Sequence, residues 1–285
     1  MDMTGKTRVC GVIGDPIEHT LSPLMHNAAF GALKLDYAFL AFKVKSAELE
    51  NAVNGMRALN LRGLNVTMPH KTSVLKFLDR VDLSAQIINS VNTILNRDNK
   101  LFGFNTDGVG ALKALRENGV ELKGRKVLLL GAGGAARAIA YTMARESDEL
   151  AVLNRTLKPA QELAKLLEKT ANKKIAAGVL SPKEIQHNLQ DSDILINATS
   201  VGMKPKPDES LVPPKLLRSN LAIMDIVYNP IETQLAKDAK AAGAKVVSGV
   251  EMLIYQGAAS FEIWTGKSAP VEVMRQAALN HLQKV

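Results

Sequence analysis

The chain has 285 residues, 46% hydrophobic and 22% charged, which allows two domains with substantial cores and argues against disorder. Its net charge of +8 raises nucleic-acid binding, but the lysines and arginines are scattered and aromatics are only 4%, too few for base-stacking platforms, so a basic surface that attracts anionic small molecules is the simpler account. One cysteine, Cys10, excludes an internal disulfide framework and a cysteine metal cluster; the five histidines lack metal-ligand spacing, so His19, His26 and His70 are expected to pack or bond locally.

Residues 1–6 carry no apolar signal region, and no apolar run approaches the roughly 20 residues of a membrane helix, so a cytoplasmic protein is expected. The patterning predicts a strand over 9–14, a helix opened by Ser22-Pro23 to about 34, and a strand over 37–42. A helix over 46–59 capped by Ser46 follows, then a short strand over 62–66 leading to Pro69-His70-Lys71. Strands over 91–95 and 100–104 form a hairpin around Arg97-Asp98-Asn99. A helix over 106–118 stops at Asn118-Gly119.

The run Val127-Leu128-Leu129-Leu130 reads as a strand buried on both faces of a parallel sheet. Gly131-Ala132-Gly133-Gly134-Ala135-Ala136 then has the form G-x-G-x-x-A and opens a helix over 135–146. Gly131 permits the tight turn, Gly133 lets backbone approach a pyrophosphate, and Ala136 allows close helix–strand packing, with the helix N-terminus facing phosphate. A dinucleotide site is the leading reading; the alternative is a glycine-rich turn without a ligand. The next strand, 150–153, ends in Asn154-Arg155-Thr156, without the acidic residue that meets an NAD ribose. Arg155 lies 24 positions past Gly131, where an arginine accommodates a 2′-phosphate, so NADP is favoured over NAD. Further strands are expected near Ile175, Ile194 and Ile223. With no strand left to join after Val246-Val247, helices over 249–264 and 270–283 should fold back on the first domain. The fold class is therefore α/β, with an N-terminal α/β substrate domain (1–106, completed by 249–285), a Rossmann-like dinucleotide-binding domain (107–248), and a ligand cleft between them.

Polar residues gather at strand ends: Thr20-Leu21-Ser22-Pro23, Asn65-Val66-Thr67-Met68-Pro69-His70-Lys71, Val91-Asn92-Thr93 and Asn105-Thr106-Asp107-Gly108. Together they suit a small polyhydroxylated ligand. Singly, each has a bland reading: Ser22 and Asp107 as helix caps, Lys71 as a solvated lysine, Asn92 and Thr93 as hairpin residues.

In matching order these clusters resemble those of shikimate dehydrogenases, and the resemblance continues through Asn197-Ala198-Thr199-Ser200-Val201-Gly202-Met203, Asp225-Ile226-Val227-Tyr228 and Met252-Leu253-Ile254-Tyr255-Gln256-Gly257-Ala258. It spans nearly the whole chain. It implies NADPH-dependent reversible reduction of 3-dehydroshikimate to shikimate in chorismate and aromatic amino-acid biosynthesis, with a quinate/shikimate dehydrogenase as the alternative. By resemblance Lys71 and Asp107 are the catalytic pair. Asn65, Asn92 and Gln256 bind ring hydroxyls, Thr20, Ser22 and Tyr228 hold the carboxylate, and Thr67 lines the pocket. Gly131, Ala132, Gly133, Gly134 and Ala135 carry the pyrophosphate. Asn154, Arg155, Thr156 and Lys158 hold the ribose and its 2′-phosphate, and Thr199, Ile226 and Gly249 complete the cofactor set. The family usually has serine where Thr20 stands, and often arginine where Lys158 stands. No nucleic-acid or membrane partner is implied, and a monomer or homodimer is expected.

Overall fold

In the computed structural model, which describes residues 3–283, the chain divides into two units, Met1–Asp107 with Ile254–Val285, and Gly108–Leu253. The first begins β1 (Arg8–Gly14), α1 (Ser22–Ala32), β2 (Tyr37–Lys43), α2 (Leu49–Ala58) and β3 (Gly63–Val66). It continues with β4 (Arg80–Val81), α3 (Leu83–Ile88), β5 (Thr93–Arg97) and β6 (Lys100–Phe104). The sheet order is β2-β1-β3-β5-β6-β4, with β5 antiparallel to both its neighbours and the other pairings parallel. The hairpin turn between β5 and β6 is made by Asp98 and Asn99, both at positive φ (52° and 61°), a backbone twist that matches the flanking strands.

Three details differ from the expectations. Ser46 caps nothing: it opens a 3₁₀ turn, Ser46–Glu48, whose cap position is Lys45, and α2 proper starts at Leu49. The short β4 and α3 carry too few residues for periodicity to reveal; α3 is marked only by Asp82, whose carboxylate accepts from the Ser84 amide.

The second unit runs α4 (Asp107–Glu117, whose first residue belongs to the first unit), β7 (Lys126–Leu130), α5 (Gly134–Glu146), β8 (Glu149–Asn154) and α6 (Leu157–Ala171). β9 (Ala176–Val179), α7 (Pro182–Gln190), β10 (Ile194–Asn197), β11 (Ala222–Asp225), α8 (Gln234–Ala241) and β12 (Lys245–Ser248) follow. All strands pair in parallel in the order β9-β8-β7-β10-β11-β12, the 3-2-1-4-5-6 arrangement of dinucleotide-binding sheets. Lys245–Ser248, which contains the Val246-Val247 pair, adds an edge strand on β11, and only helices follow it among the described residues, in line with the expectation of no strand after Val246-Val247. Leu128, Leu130, Leu195 and Ile223, almost wholly buried, form much of this unit's core.

The C-terminal helices are α9 (Gly249–Thr265) and α10 (Val271–Leu282). Trp264 of α9 is fully buried in the first unit, its indole N–H donating to the Ile94 carbonyl at 2.9 Å, and Arg62 donates to the Trp264 carbonyl at 2.9 Å. A Cβ at Gly63 would stand 2.1 Å from the Trp264 indole nitrogen, so β3 needs glycine there for α9 to seat. His26 stacks on Phe39 at a 4.4 Å centroid distance in the same core, and burial pushes its ring pKa down to about 3, leaving a neutral core histidine.

Candidate active site

In the first unit, Asn65 of β3 pairs in register with Thr93 of β5, and Asn92 directly precedes β5. The Lys71 carbonyl accepts from the Val91 N–H at 2.8 Å, and Asn92 N–H donates to the Phe104 carbonyl at 3.0 Å, just upstream of Asp107. The antiparallel run of β5 sets its beginning beside the ends of β3 and β6. Asn92 therefore joins the site from just before the start of β5, rather than from inside the strand expected over 91–95.

Lys71 Nζ stands 2.5 Å from Asp107 Oδ2, with the two side chains only 17% and 5% exposed. Asn92 Nδ2 donates to the other carboxylate oxygen at 2.9 Å. Asp107 opens α4, yet its carboxylate is not spent on capping: Asn105 Oδ1 accepts from the Asp107 N–H at 2.9 Å, while Asn105 Nδ2 donates to the Ser90 carbonyl. Among the described residues Lys71 has no acceptor but Asp107, so its ammonium keeps protons to direct elsewhere. A cation that donates a proton, held by a buried carboxylate, suits a reaction that develops negative charge on oxygen.

Around this pair, Gln256 Oε1 of α9 lies 3.3 Å from Asn92 Nδ2, so Asn65, Lys71, Asn92, Asp107 and Gln256 share one network. Sequence reasoning passed over three further members, Thr93, Thr106 and Ser260, whose hydroxyls lie between the two asparagines. Thr93 and Thr106 were visible inside the motifs; Ser260, on the far side of the chain, carried no local signal. Thr20 and Ser22 form a separate pair: Thr20 Oγ1 donates to Ser22 Oγ at 3.2 Å and accepts from the Ser22 N–H. Ser22 is buried inside α1 and the cap position is Leu21, so the cap reading of Ser22 is set aside. Thr67 N–H donates to the Ile13 carbonyl at 3.0 Å, outside the lysine network. Tyr228 belongs to the second unit, and burial raises its phenol pKa.

In that unit the strand order reverses between β7 and β10, the place where such sheets bind dinucleotides. Gly131, at φ 111°, follows β7, and a Cβ there would stand 2.8 Å from the Ala198 carbonyl oxygen. Gly133 occupies the cap of α5 without a side-chain cap bond, Ala136 is fully buried, and a Cβ at 133 would meet no atom within 4 Å. The loop after β8 closes on itself, Asn154 Nδ2 donating to the Thr156 carbonyl at 3.0 Å, and leaves Arg155 exposed. No carboxylate pairs with Arg155 among the described residues. Lys158, 85% exposed, is 4.0 Å from Glu162, a loose pair. Thr199 Oγ1 donates to Asn197 Oδ1 at 2.8 Å. Gly249 has a packing reason of its own: a Cβ would come within 2.6 Å of the Ile226 backbone. An open glycine turn, a helix cap without a side chain and an unpaired arginine fit a dinucleotide with a 2′-phosphate.

Beside this turn Asp225 is buried and accepts from Asn197 Nδ2 (3.0 Å), the Val227 N–H (3.1 Å) and Thr233 Oγ1 (2.7 Å). Burial outweighs these bonds and raises its pKa to about 6. A raised folded-state pKa favours the fold below the ordinary carboxylate range, and that contribution is lost as pH rises through about 6. Asn at 225 can accept from Asn197 and Val227 and donate to Thr233. Wild type should therefore lose on the order of 2–3 kcal/mol of unfolding free energy between pH 4 and 7 relative to Asp225→Asn. Urea unfolding of both proteins across that range checks this; parallel pH profiles would refute it.

Family models match three stretches: a shikimate dehydrogenase substrate binding domain over 12–94, shikimate / quinate 5-dehydrogenase over 113–237, and a shikimate 5'-dehydrogenase C-terminal domain over 249–279. The chain is 48% identical to the shikimate dehydrogenase (NADP(+)) of Methanopyrus kandleri, covering 99% of both proteins. Among solved structures it is similar to a shikimate dehydrogenase in complex with NADP+ (43% identity, TM-score 0.94, 99% and 98% covered). It is also similar to the Thermus thermophilus shikimate 5-dehydrogenase in complex with NADP(H) and shikimate (38%, TM-score 0.87, 96% and 99% covered). No helix among the described residues is long and apolar enough to cross a membrane.

Proposed function

The chain belongs to the shikimate dehydrogenase family, and on that premise we propose that it reduces 3-dehydroshikimate reversibly to shikimate with NADPH, Lys71 and Asp107 acting as the catalytic pair. The observation that carries the residue assignment is the buried 2.5 Å contact between Lys71 Nζ and Asp107 Oδ2, with Asn92 on the second oxygen. We assign the substrate to the first unit and the dinucleotide to the second. Asn65, Asn92 and Gln256 meet ring hydroxyls; Thr20, Ser22 and Tyr228 take the carboxylate; Thr67 lines the site. Gly131 through Ala135 face the pyrophosphate, Asn154, Arg155, Thr156 and Lys158 the adenosine ribose and its phosphate, and Thr199, Ile226 and Gly249 the rest of the cofactor.

Bound NADPH supplies a hydride to the carbonyl carbon of the substrate. As the C=O π pair moves onto oxygen, Lys71 Nζ gives that oxygen a proton, and Asp107 holds the lysine in line throughout. In the oxidative direction the neutral Lys71 amine takes the hydroxyl proton back. Asp107→Asn keeps the shape and removes the charge, so turnover should fall about 10²-fold or more, and because the buried Lys71 ammonium loses its carboxylate the variant should also unfold at a lower temperature. Rate and thermal unfolding measured together decide this, and an unchanged rate would refute the pairing.

The reaction itself is tested by following NADP reduction with shikimate beside quinate, and with NAD in place of NADP. Shikimate with NADP should be fastest; faster turnover of quinate would move the chain to the quinate-oxidising branch. The same reading carries a cytoplasmic location and a monomeric or homodimeric state, checked by cell fractionation and light scattering.

A further inference from the structure

Asn65 and Asn92 are held in fixed orientations by groups whose hydrogen-bonding sense is unambiguous. Asn92 Oδ1 accepts from the Thr106 backbone N–H at 2.8 Å, which can only donate, and Asn92 Nδ2 faces the Asp107 carboxylate, which can only accept. Asn65 Nδ2 donates to the Asn92 carbonyl at 3.1 Å, to Ser260 Oγ at 3.0 Å and to Thr93 Oγ1 at 3.2 Å. The amide hydrogens of Asn65 are thus used inside the protein, while its Oδ1 is buried with no partner among the described residues. An unpaired buried acceptor is costly, and a ligand hydroxyl that donates to it removes the cost.

We infer that Ser260 is a positioning residue that, through Thr93, holds Asn65 as a pure hydrogen-bond acceptor toward the substrate, so that the ring hydroxyl meeting Asn65 must donate. This rests on the reading above that the first unit binds a hydroxylated ring acid. The sense of each bond follows from its neighbour. Asn92 Oδ1, fixed as an acceptor, draws the Thr93 proton (2.9 Å). Thr93 Oγ1 is then left to accept, 2.7 Å from Ser260 Oγ. With the Thr93 proton given to Asn92 and the Ser260 proton shared between Thr93 Oγ1 and the Gln256 carbonyl 3.1 Å away, both hydroxyl oxygens turn lone pairs to the Asn65 amide. The order runs from the Asp107 carboxylate through Asn92, Thr93 and Ser260 to Asn65. Ser260 is fully buried and reaches this chain from α9, 195 positions away from Asn65.

The test uses shikimate analogues that each carry fluorine in place of one ring hydroxyl, measured as competitive inhibitors of the whole enzyme. Fluorine can accept but cannot donate. In wild type one analogue should bind about tenfold or more weakly than its hydroxyl parent, the loss expected for an unmet buried acceptor. Ser260→Ala should raise KM for shikimate several-fold and shrink that hydroxyl-to-fluorine ratio, leaving the NADP dissociation constant unchanged. Thr93→Val, which interrupts the order at its centre, should shrink the ratio further, and it serves should the alanine variant fail to fold. If the variants weaken shikimate and every fluoro analogue by one common factor, Ser260 only packs and the inference falls. It falls equally if wild type discriminates against no analogue. A wild-type protein that oxidises shikimate not at all would overturn the reading of the site itself, and this inference with it.

Discussion

Lys71→Ala should lower turnover about 10²–10⁴-fold, the usual contribution of a positioned acid, while NADP binds nearly as in wild type. The expectation follows from position: Lys71 touches Asp107 in the first unit, and the glycine turn after β7 belongs to the second. Loss of the ammonium also leaves Asp107, 5% exposed, with Asn92 as its remaining side-chain donor. Breaking one side of a buried ion pair costs about 3–5 kcal/mol, so the alanine variant loses stability together with the acid. Lys71→Arg separates the two effects. A guanidinium keeps the cation beside Asp107 but does not release its proton near neutral pH. The arginine variant should unfold close to the wild-type temperature and still turn over at least about 10²-fold more slowly. Near-native turnover in a folded Lys71→Arg protein would overturn the proton-donor role of Lys71.

How much of this was legible in the chain depends on how local each signal is. The second unit declared itself because β7 is apolar from Val127 to Leu130 and Gly131-Ala132-Gly133 breaks it at once, both properties of a few consecutive residues. β4 gave no such signal: two residues are too few for alternation, and it forms by adding to an existing strand. The motif residues of the first unit could be named individually, but not their shared network. That Asn92 Nδ2 meets Asp107 depends on β5 running antiparallel, and pairing direction is a tertiary fact. Ser260 was hidden more deeply. On α9 it reads as one small residue on an apolar helix, and only the seating of that helix, fixed by Trp264 against Gly63, brings its hydroxyl to Asn65. Asp107 marks the opposite limit: by itself a helix-opening aspartate reads as a cap, the family resemblance pairs it with Lys71, and the geometry sets the two side chains in contact.

Arg155→Ala should weaken NADP by about one to two decades and NAD far less. Arg155 follows β8 in a loop closed by Asn154 and Thr156, is exposed, and has no carboxylate partner among the described residues. α6 begins two residues later with no acidic side chain in its first turn and no side-chain cap bond, so its N-terminus adds partial positive charge on the same side. A ribose 2′-phosphate carries close to two negative charges, which a guanidinium meets with paired, charge-assisted hydrogen bonds. Each such bond is worth roughly 1.5–3 kcal/mol, whereas the 2′-hydroxyl of NAD offers no charge to meet. Lys158 contributes less, because its ammonium is a flexible point charge, 85% exposed and partly engaged by Glu162. Raising salt should therefore narrow the preference for NADP over NAD in wild type, and leave the Arg155→Ala protein, with little preference to lose, nearly unaffected. Titrating both dinucleotides against both proteins at two salt concentrations measures all of these effects. If Arg155 instead lay over the adenine face, which the two cofactors share, its loss would weaken them alike, and that outcome would remove the 2′-phosphate contact from the account of cofactor choice.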